Sequence, residues 1–145
     1  MKANAMKSTM SQSKNVRDKK SVRYAAIGAR VLLGLIFFVF GFGYFFMPEP
    51  PIDPATPGGA YFTALLATGF FFPFLKIVEG CCGFMLFFKR WTPLSLLILA
   101  PIVIQIFLYS AFLDPTPLIM SIIMIVFVAF LAWFHWEKYE GLFRA

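Results

Sequence analysis

Apolar residues gather into four long runs separated by short polar or proline-rich breaks. The first run covers 24–47, roughly 36 Å as a helix and enough to cross a hydrocarbon core of ~30 Å. Pro48, Pro50, Pro51, Pro54 and Pro57 then crowd a loop that cannot be helical throughout. The second run, 60–88, is too long for one upright crossing, and Gly69 and Pro73 offer a place to bend. Residues 60–68 are expected near an interface and 70–88 within the core. Lys89 and Arg90 form the next connection. Thr92 reads as an N-cap with Pro93 at the first helical position, opening a third helix over 92–112 that Pro101 should kink. Asp114 and Pro115 repeat that signal and open a fourth helix over 115–136. The pattern predicts an all-α fold, a transmembrane four-helix bundle at 23–136. A structureless basic tail at 1–22 precedes it, and a short tail at 137–145 follows.

Composition sharpens this picture. The chain has 145 residues, 60% hydrophobic and 14% charged, with a mean hydropathy of +0.78. Soluble domains are about half apolar and a quarter charged. So short a chain cannot hide this much apolar surface in a core, and lipid must cover the remainder. The 20 Phe residues point the same way.

The net charge of +6 would suit a nucleic-acid binder, but its distribution does not. Seven of the 13 basic residues (Lys2, Lys7, Lys14, Arg17, Lys19, Lys20 and Arg23) precede the first run, opposed only by Asp18. A basic tail abutting a membrane helix is a topology signal and a contact for anionic headgroups. The first run is too long for a signal-peptide core and ends in Phe45-Phe46-Met47-Pro48, so it is expected to remain as an anchor. Lys and Arg mark the N-terminal tail, the 89–90 turn and the C-terminal tail, which includes Arg144, while the loops at 48–58 and 113–117 have none. Both termini are therefore expected in the cytoplasm. Trp91, Trp133 and Trp136 would lie near that boundary, and Tyr44, Tyr61 and Tyr109 near the outer one.

Ionisable residues within membrane helices are functional candidates, because burying one costs about 2.5–3.5 kcal/mol even on lenient scales. Counted from the basic turns, Arg30 lies roughly 10 Å deep and Glu79 roughly 15 Å, so an Arg30–Glu79 pair is expected. Lys76 shares the helix face of Glu79 and competes for its carboxylate. Gln105 reaches the level of Lys76, with Tyr109 one turn further out. Together Arg30, Glu79, Lys76, Gln105 and Tyr109 would form a polar column. That column would suit a proton path or a site for a small redox molecule such as a quinone. An interhelical salt bridge that only fixes helix pairing explains the same residues, and Gln105 and Tyr109 alone suit packing or an interface.

Cys81 and Cys82 are adjacent, so a bridge between them would be strained, and they lack the C-x-x-C spacing of a redox pair. Free, buried, unreactive thiols are expected. The lone His135 has no second ligand cluster, which argues against a metal or a b-type haem. Gly34, Gly41 and Gly43, with Gly80 and Gly83, permit close approach of helices one and two. No phosphate loop, hydrolase triad or carboxylate pair is present, so no catalytic residue is assigned.

The stretch Ala29-Arg30-Val31-Leu32-Leu33-Gly34-Leu35, the mid-helix Glu79 with Gly80 and Gly83, and the turn Lys89-Arg90-Trp91-Thr92-Pro93-Leu94 resemble the DoxX family. Leu99-Ala100-Pro101-Ile102-Val103-Ile104-Gln105-Ile106-Phe107-Leu108, followed by Ala111-Phe112-Leu113-Asp114-Pro115, resembles a bacterial DoxX-like subfamily. The likeness covers 27–130. It implies a four-helix, multi-pass bacterial inner-membrane protein with Arg30 and Glu79 as paired polar residues. Some relatives are linked to thiosulfate–quinone oxidoreduction or to oxidative-stress complexes. Relatives place Asn and His where this chain has Gln105 and Ser110, which sets apart any chemistry relying on that histidine.

The functional expectation is a non-catalytic subunit or accessory of a quinone-linked membrane redox system, without turnover on its own. Its partners would be the lipid bilayer and a protein partner or further copies of itself, not nucleic acid. The alternatives are an intramembrane quinone-binding protein and a small transporter, both using the Arg30, Lys76 and Glu79 column.

Overall fold

The structure, a computed structural model, describes residues 1–143. Arg144, counted above with the C-terminal flank, lies outside the described residues. The helices are α1 (Lys2–Asp18), α2 (Lys20–Gly43), α3 (Pro57–Ala67), α4 (Phe71–Leu86), α5 (Thr92–Phe112), α6 (Leu118–Phe134) and α7 (Trp136–Phe143), and there is no strand among the described residues.

Spacing on α2 decides what it buries. Ala26, Ala29, Leu33 and Phe37 recur every three or four residues and form one inward stripe. That stripe meets α4 through glycines. A Cβ at Gly34 would lie 3.0 Å from the Gly83 carbonyl oxygen, and one at Gly41 would collide with the Gly80 backbone. The two backbones are in direct contact, which the absence of four side chains makes possible. The contacts also fix direction, since Gly34 lies opposite Gly83 and Leu86, and Gly41 opposite Lys76 and Gly80. α2 and α4 are antiparallel.

Further contacts join α4 to α5, α5 to α6 and α6 back to α2, so the packing closes into a ring. Each helix contributes a fully buried leucine to its centre: Leu33, Leu86, Leu99 and Leu131 are all 0% exposed. Small hydroxyl residues fill close positions and bond within their own helices, as Ser110 does to the Ile106 carbonyl at 2.8 Å and Ser121 to the Leu118 carbonyl at 2.8 Å.

The outside is as apolar as the inside. Phe40, Phe46, Phe70, Phe74, Phe112 and Ile119 are among many large apolar side chains left exposed. A water-soluble monomer does not carry an apolar surface of that extent. α2 and α5 are long and apolar enough to cross a membrane, and α3 with α4 qualifies as a third span if the bent pair is counted as one. α6, with 17 residues, is apolar but shorter.

The second apolar run divides, as its glycine allows. Gly69 takes φ +73°, a conformation that L side chains rarely adopt, and α3 and α4 meet there at 94°. Thr56 caps α3 by accepting a hydrogen bond from the Gly59 N–H at 3.0 Å, with Pro57 following it. α5 passes through Pro101 as one continuous helix.

The helix expected over 24–47 spans Lys20–Gly43, and three further boundaries differ from the sequence expectation. The basic tail, expected to be structureless, is the helix α1. It contains no Gly or Pro, and its three Lys, two Ala and two Met favour helix wherever the chain is unconstrained. The fourth helix was expected over 115–136 but spans Leu118–Phe134, because Asp114 accepts the Thr116 N–H at 3.0 Å and closes a turn instead. The C-terminal tail forms α7, anchored by the Tyr139 hydroxyl, which donates to the Pro93 carbonyl at 2.6 Å.

Candidate functional site

The polar residues picked out from the sequence do not form one column. They fall into three places, each set by the register of the helices.

The first is internal to α4. Lys76 Nζ donates to Glu79 Oε2 at 2.7 Å, one turn along the same helix. Glu79 is 2% exposed, whereas Lys76 keeps part of its side chain at the surface. A charge so buried persists only beside a counter-charge, and Lys76 supplies it.

The second holds Arg30, and here the expected pair with Glu79 is corrected. From the glycine contacts, Arg30 falls level with Lys89, not with Glu79. It is about ten residues, roughly 15 Å along the axis, short of the carboxylate. Counting depth from the basic turns went wrong because the glycine contacts, not the charged ends, set the register of α2 against α4. Arg30 instead lines a small cavity between α2 and the end of α6, with Arg23, Lys89 and His135. His135 is buried, and its Nδ1 donates to the Leu131 carbonyl at 2.9 Å.

The third lies at the opposite end of the helices. The Gln105 amide donates to the Tyr61 hydroxyl at 2.6 Å, and no hydrogen bond joins Gln105 to Lys76 among the described residues. Gln105 is exposed, on the outer face of α5. Tyr61 and Tyr109 lie 5.6 Å apart between ring centroids, and Phe62 and Phe72 connect them to Tyr44. A Cβ at Gly58 would sit 2.7 Å from the Tyr109 hydroxyl, so the start of α3 is held against this cluster. The three tyrosines assigned to the outer boundary do gather at one end.

Besides these groups, α2 and α4 enclose a broad groove of about 800 Å³, open along its side. Phe38, Phe42, Phe46, Phe84 and Met85 line it, and Cys81 sits at its wall. Both cysteines are free, but only Cys82 is buried as expected; Cys81 is exposed, because its neighbour on the helix takes the inward position. Neither Lys76 nor Glu79 lines the groove or the basic cavity.

Compared with protein-family models, curated proteins and solved structures, the chain matches none. Geometry and chemistry therefore carry the functional reading.

The chemistry available is limited. Among the described residues no group of three or more His, Cys, Asp and Glu is placed to hold a metal. Among the described residues the one buried carboxylate, Glu79, is covered and already paired with Lys76. Sequence reasoning missed the assembly of Arg23, Arg30, Lys89 and His135. Its signal was present, since each lies within or beside a basic flank assigned to one face.

Proposed function

We propose that the chain is a four-helix integral membrane protein of DoxX-like type, with both termini cytoplasmic, in a bacterial inner membrane. It serves there as a non-catalytic subunit or accessory of a quinone-linked redox system. The observation that carries the non-catalytic part is Glu79, 2% exposed and bonded to Lys76 at 2.7 Å. A general acid or base must be within reach of its substrate, and Glu79 opens onto neither cavity. The membrane part is supported by the exposed apolar surface and by helices long and apolar enough to span. The orientation is supported by the basic flanks at the N-terminus, the 89–90 turn and the C-terminus.

The test is purification of the tagged full chain from its native membranes in mild detergent. A redox membrane protein is expected to come with it, and the isolated chain is expected to leave quinones unchanged. Robust turnover by the pure chain would refute the reading. Reporter fusions at the two ends should both report the cytoplasm.

A second reading, an intramembrane site for a quinone-type molecule, is favoured by the aromatic groove. Its volume of about 800 Å³ lies within the usual range for small-ligand sites. A long-chain quinone added to the chain should then slow maleimide labelling of Cys81. Unchanged labelling would dispose of the idea.

A further inference from the structure

The cavity at the end of α2 and α6 is unusual in its charge. Arg23, Arg30 and Lys89 line it together with His135, and no carboxylate is in its wall. None of the three cations forms an ion pair among the described residues. Arg30 Nε is buried without a hydrogen-bond partner. Elsewhere the fold avoids this, as where Lys76 takes Glu79. Three like charges in one recess repel one another, and a buried guanidinium donor left unbonded adds to the cost. Each of these penalties is relieved by one thing, an anion in the recess.

Size and shape narrow its identity. The cavity holds about 90 Å³, well under the roughly 300 Å³ at which sites for whole small molecules begin. That is room for one compact oxyanion. A guanidinium fork matches the oxygens of a phosphate, and a tetrahedral group offers further oxygens to Lys89 and Arg23 from other directions. One wall is apolar, formed by Ile27, itself 49% exposed, and Phe134. An alkyl chain attached to the anion would leave the recess across that wall.

We propose that Arg23, Arg30, Lys89 and His135 form a binding site for a phosphate group. Basic recesses between helices near a membrane surface hold lipid headgroups in this way. Two sources carry the same chemistry, an anionic phospholipid and free phosphate. The lipid source rests on the membrane reading given above, and the phosphate chemistry does not.

The experiment uses the full-length chain in neutral detergent. Native mass spectrometry measures binding of phosphatidylglycerol against diacylglycerol with the same chains, and thermal stabilisation by inorganic phosphate is followed in parallel. Phosphatidylglycerol should bind at least about tenfold more tightly than diacylglycerol, since only it carries the charged acceptor. Arg30→Gln and Lys89→Gln should each weaken it about tenfold. Arg90→Gln, an exposed neighbour outside the cavity wall, should change it less than about twofold. If inorganic phosphate stabilises the protein with the same variant pattern while the lipid shows no preference, the site stands and its source is the free anion. Should Arg30→Gln fail to fold, Lys89→Gln decides, because Lys89 is exposed. The proposal is overturned if neither probe binds, if Lys89→Gln has no effect, or if Arg90→Gln weakens binding as much as Lys89→Gln. Release of the protein from membranes by an alkaline wash would end the membrane reading but leave the inorganic-phosphate arm intact.

Discussion

Lys76 closes on Glu79 from one turn away on the same helix, at 2.7 Å, and the carboxylate needs nothing from the neighbouring helix. Arg30 on α2, held about ten residues away by the glycine register, lines the basic recess with His135 instead. One local ion pair thus divides the inner charges into a neutral pair and a cationic cluster.

Removing the partner of a buried charge costs more than removing both. Lys76→Met should destabilise the protein by about 3–5 kcal/mol, because it leaves the Glu79 carboxylate without a cation. Lys76→Met with Glu79→Leu should recover most of that loss. Unfolding in mixed micelles, run as a double-mutant cycle, measures the coupling. A double variant no better than the single would argue against the pair's isolation.

The glycine seam between α2 and α4 is a matter of space. Gly41→Val should cost about 1–3 kcal/mol or part the helices, since its Cβ meets the Gly80 backbone. Gly28→Ala on the same helix meets nothing within 4 Å and should be neutral or gain about 0.5–1 kcal/mol. The thermal midpoint should fall for Gly41→Val and hold or rise for Gly28→Ala.

Asp114 gives the α5–α6 turn a pH dependence. Hydrogen bonds from Thr116 hold its carboxyl below the ordinary value of 3.8. A folded-state value below the unfolded one stabilises at pH above the unfolded value, and the benefit fades as pH falls through the folded value. The gap in thermal midpoint between the native chain and Asp114→Ala should therefore be constant near neutrality and shrink below about pH 4. A gap that widened in acid would contradict the sign.

One long-range hydrogen bond ties α7 to the start of α5. Tyr139→Phe removes its 2.6 Å bond to the Pro93 carbonyl and should cost about 0.5–1.5 kcal/mol. The loss is local, so trypsin should cut after Lys138 severalfold faster while the overall midpoint barely moves. Unchanged cleavage would mean that other contacts, Lys14–Glu137 at 3.6 Å among them, hold the helix without this bond.

The apolar runs made the main helices legible, because long uninterrupted apolar stretches have few other solutions. The α2–α4 seam was equally open to reading, since Gly34, Gly41, Gly80 and Gly83 recur at close-packing intervals on the two helices it joins. The break at Gly69 was visible as well, though not its angle, which depends on a single φ of +73°. Arg30 was misplaced for a physical reason. Register between two helices is set by side chains meeting midway, and depth counted from charged ends carries no information about that. Gln105 and Tyr61 are 44 positions apart, and only α3 folding back brings them together. α1 escaped notice because a polar helix without an apolar face leaves no periodic trace.

The elbow at Gly69 also governs how much bilayer this protein fits. It diverts eleven residues sideways and leaves α4 with 16, a rod of ~24 Å beside an α2 of ~36 Å. A hydrocarbon layer of ~30 Å matches neither. In a bilayer, as proposed above, lipid tails around α4 and the 17-residue α6 would shorten while those around α2 would not, so the molecule would indent the sheet unevenly around its circumference. Thinner membranes would accept that asymmetry with less strain, and the protein should accumulate where the bilayer is already shallow.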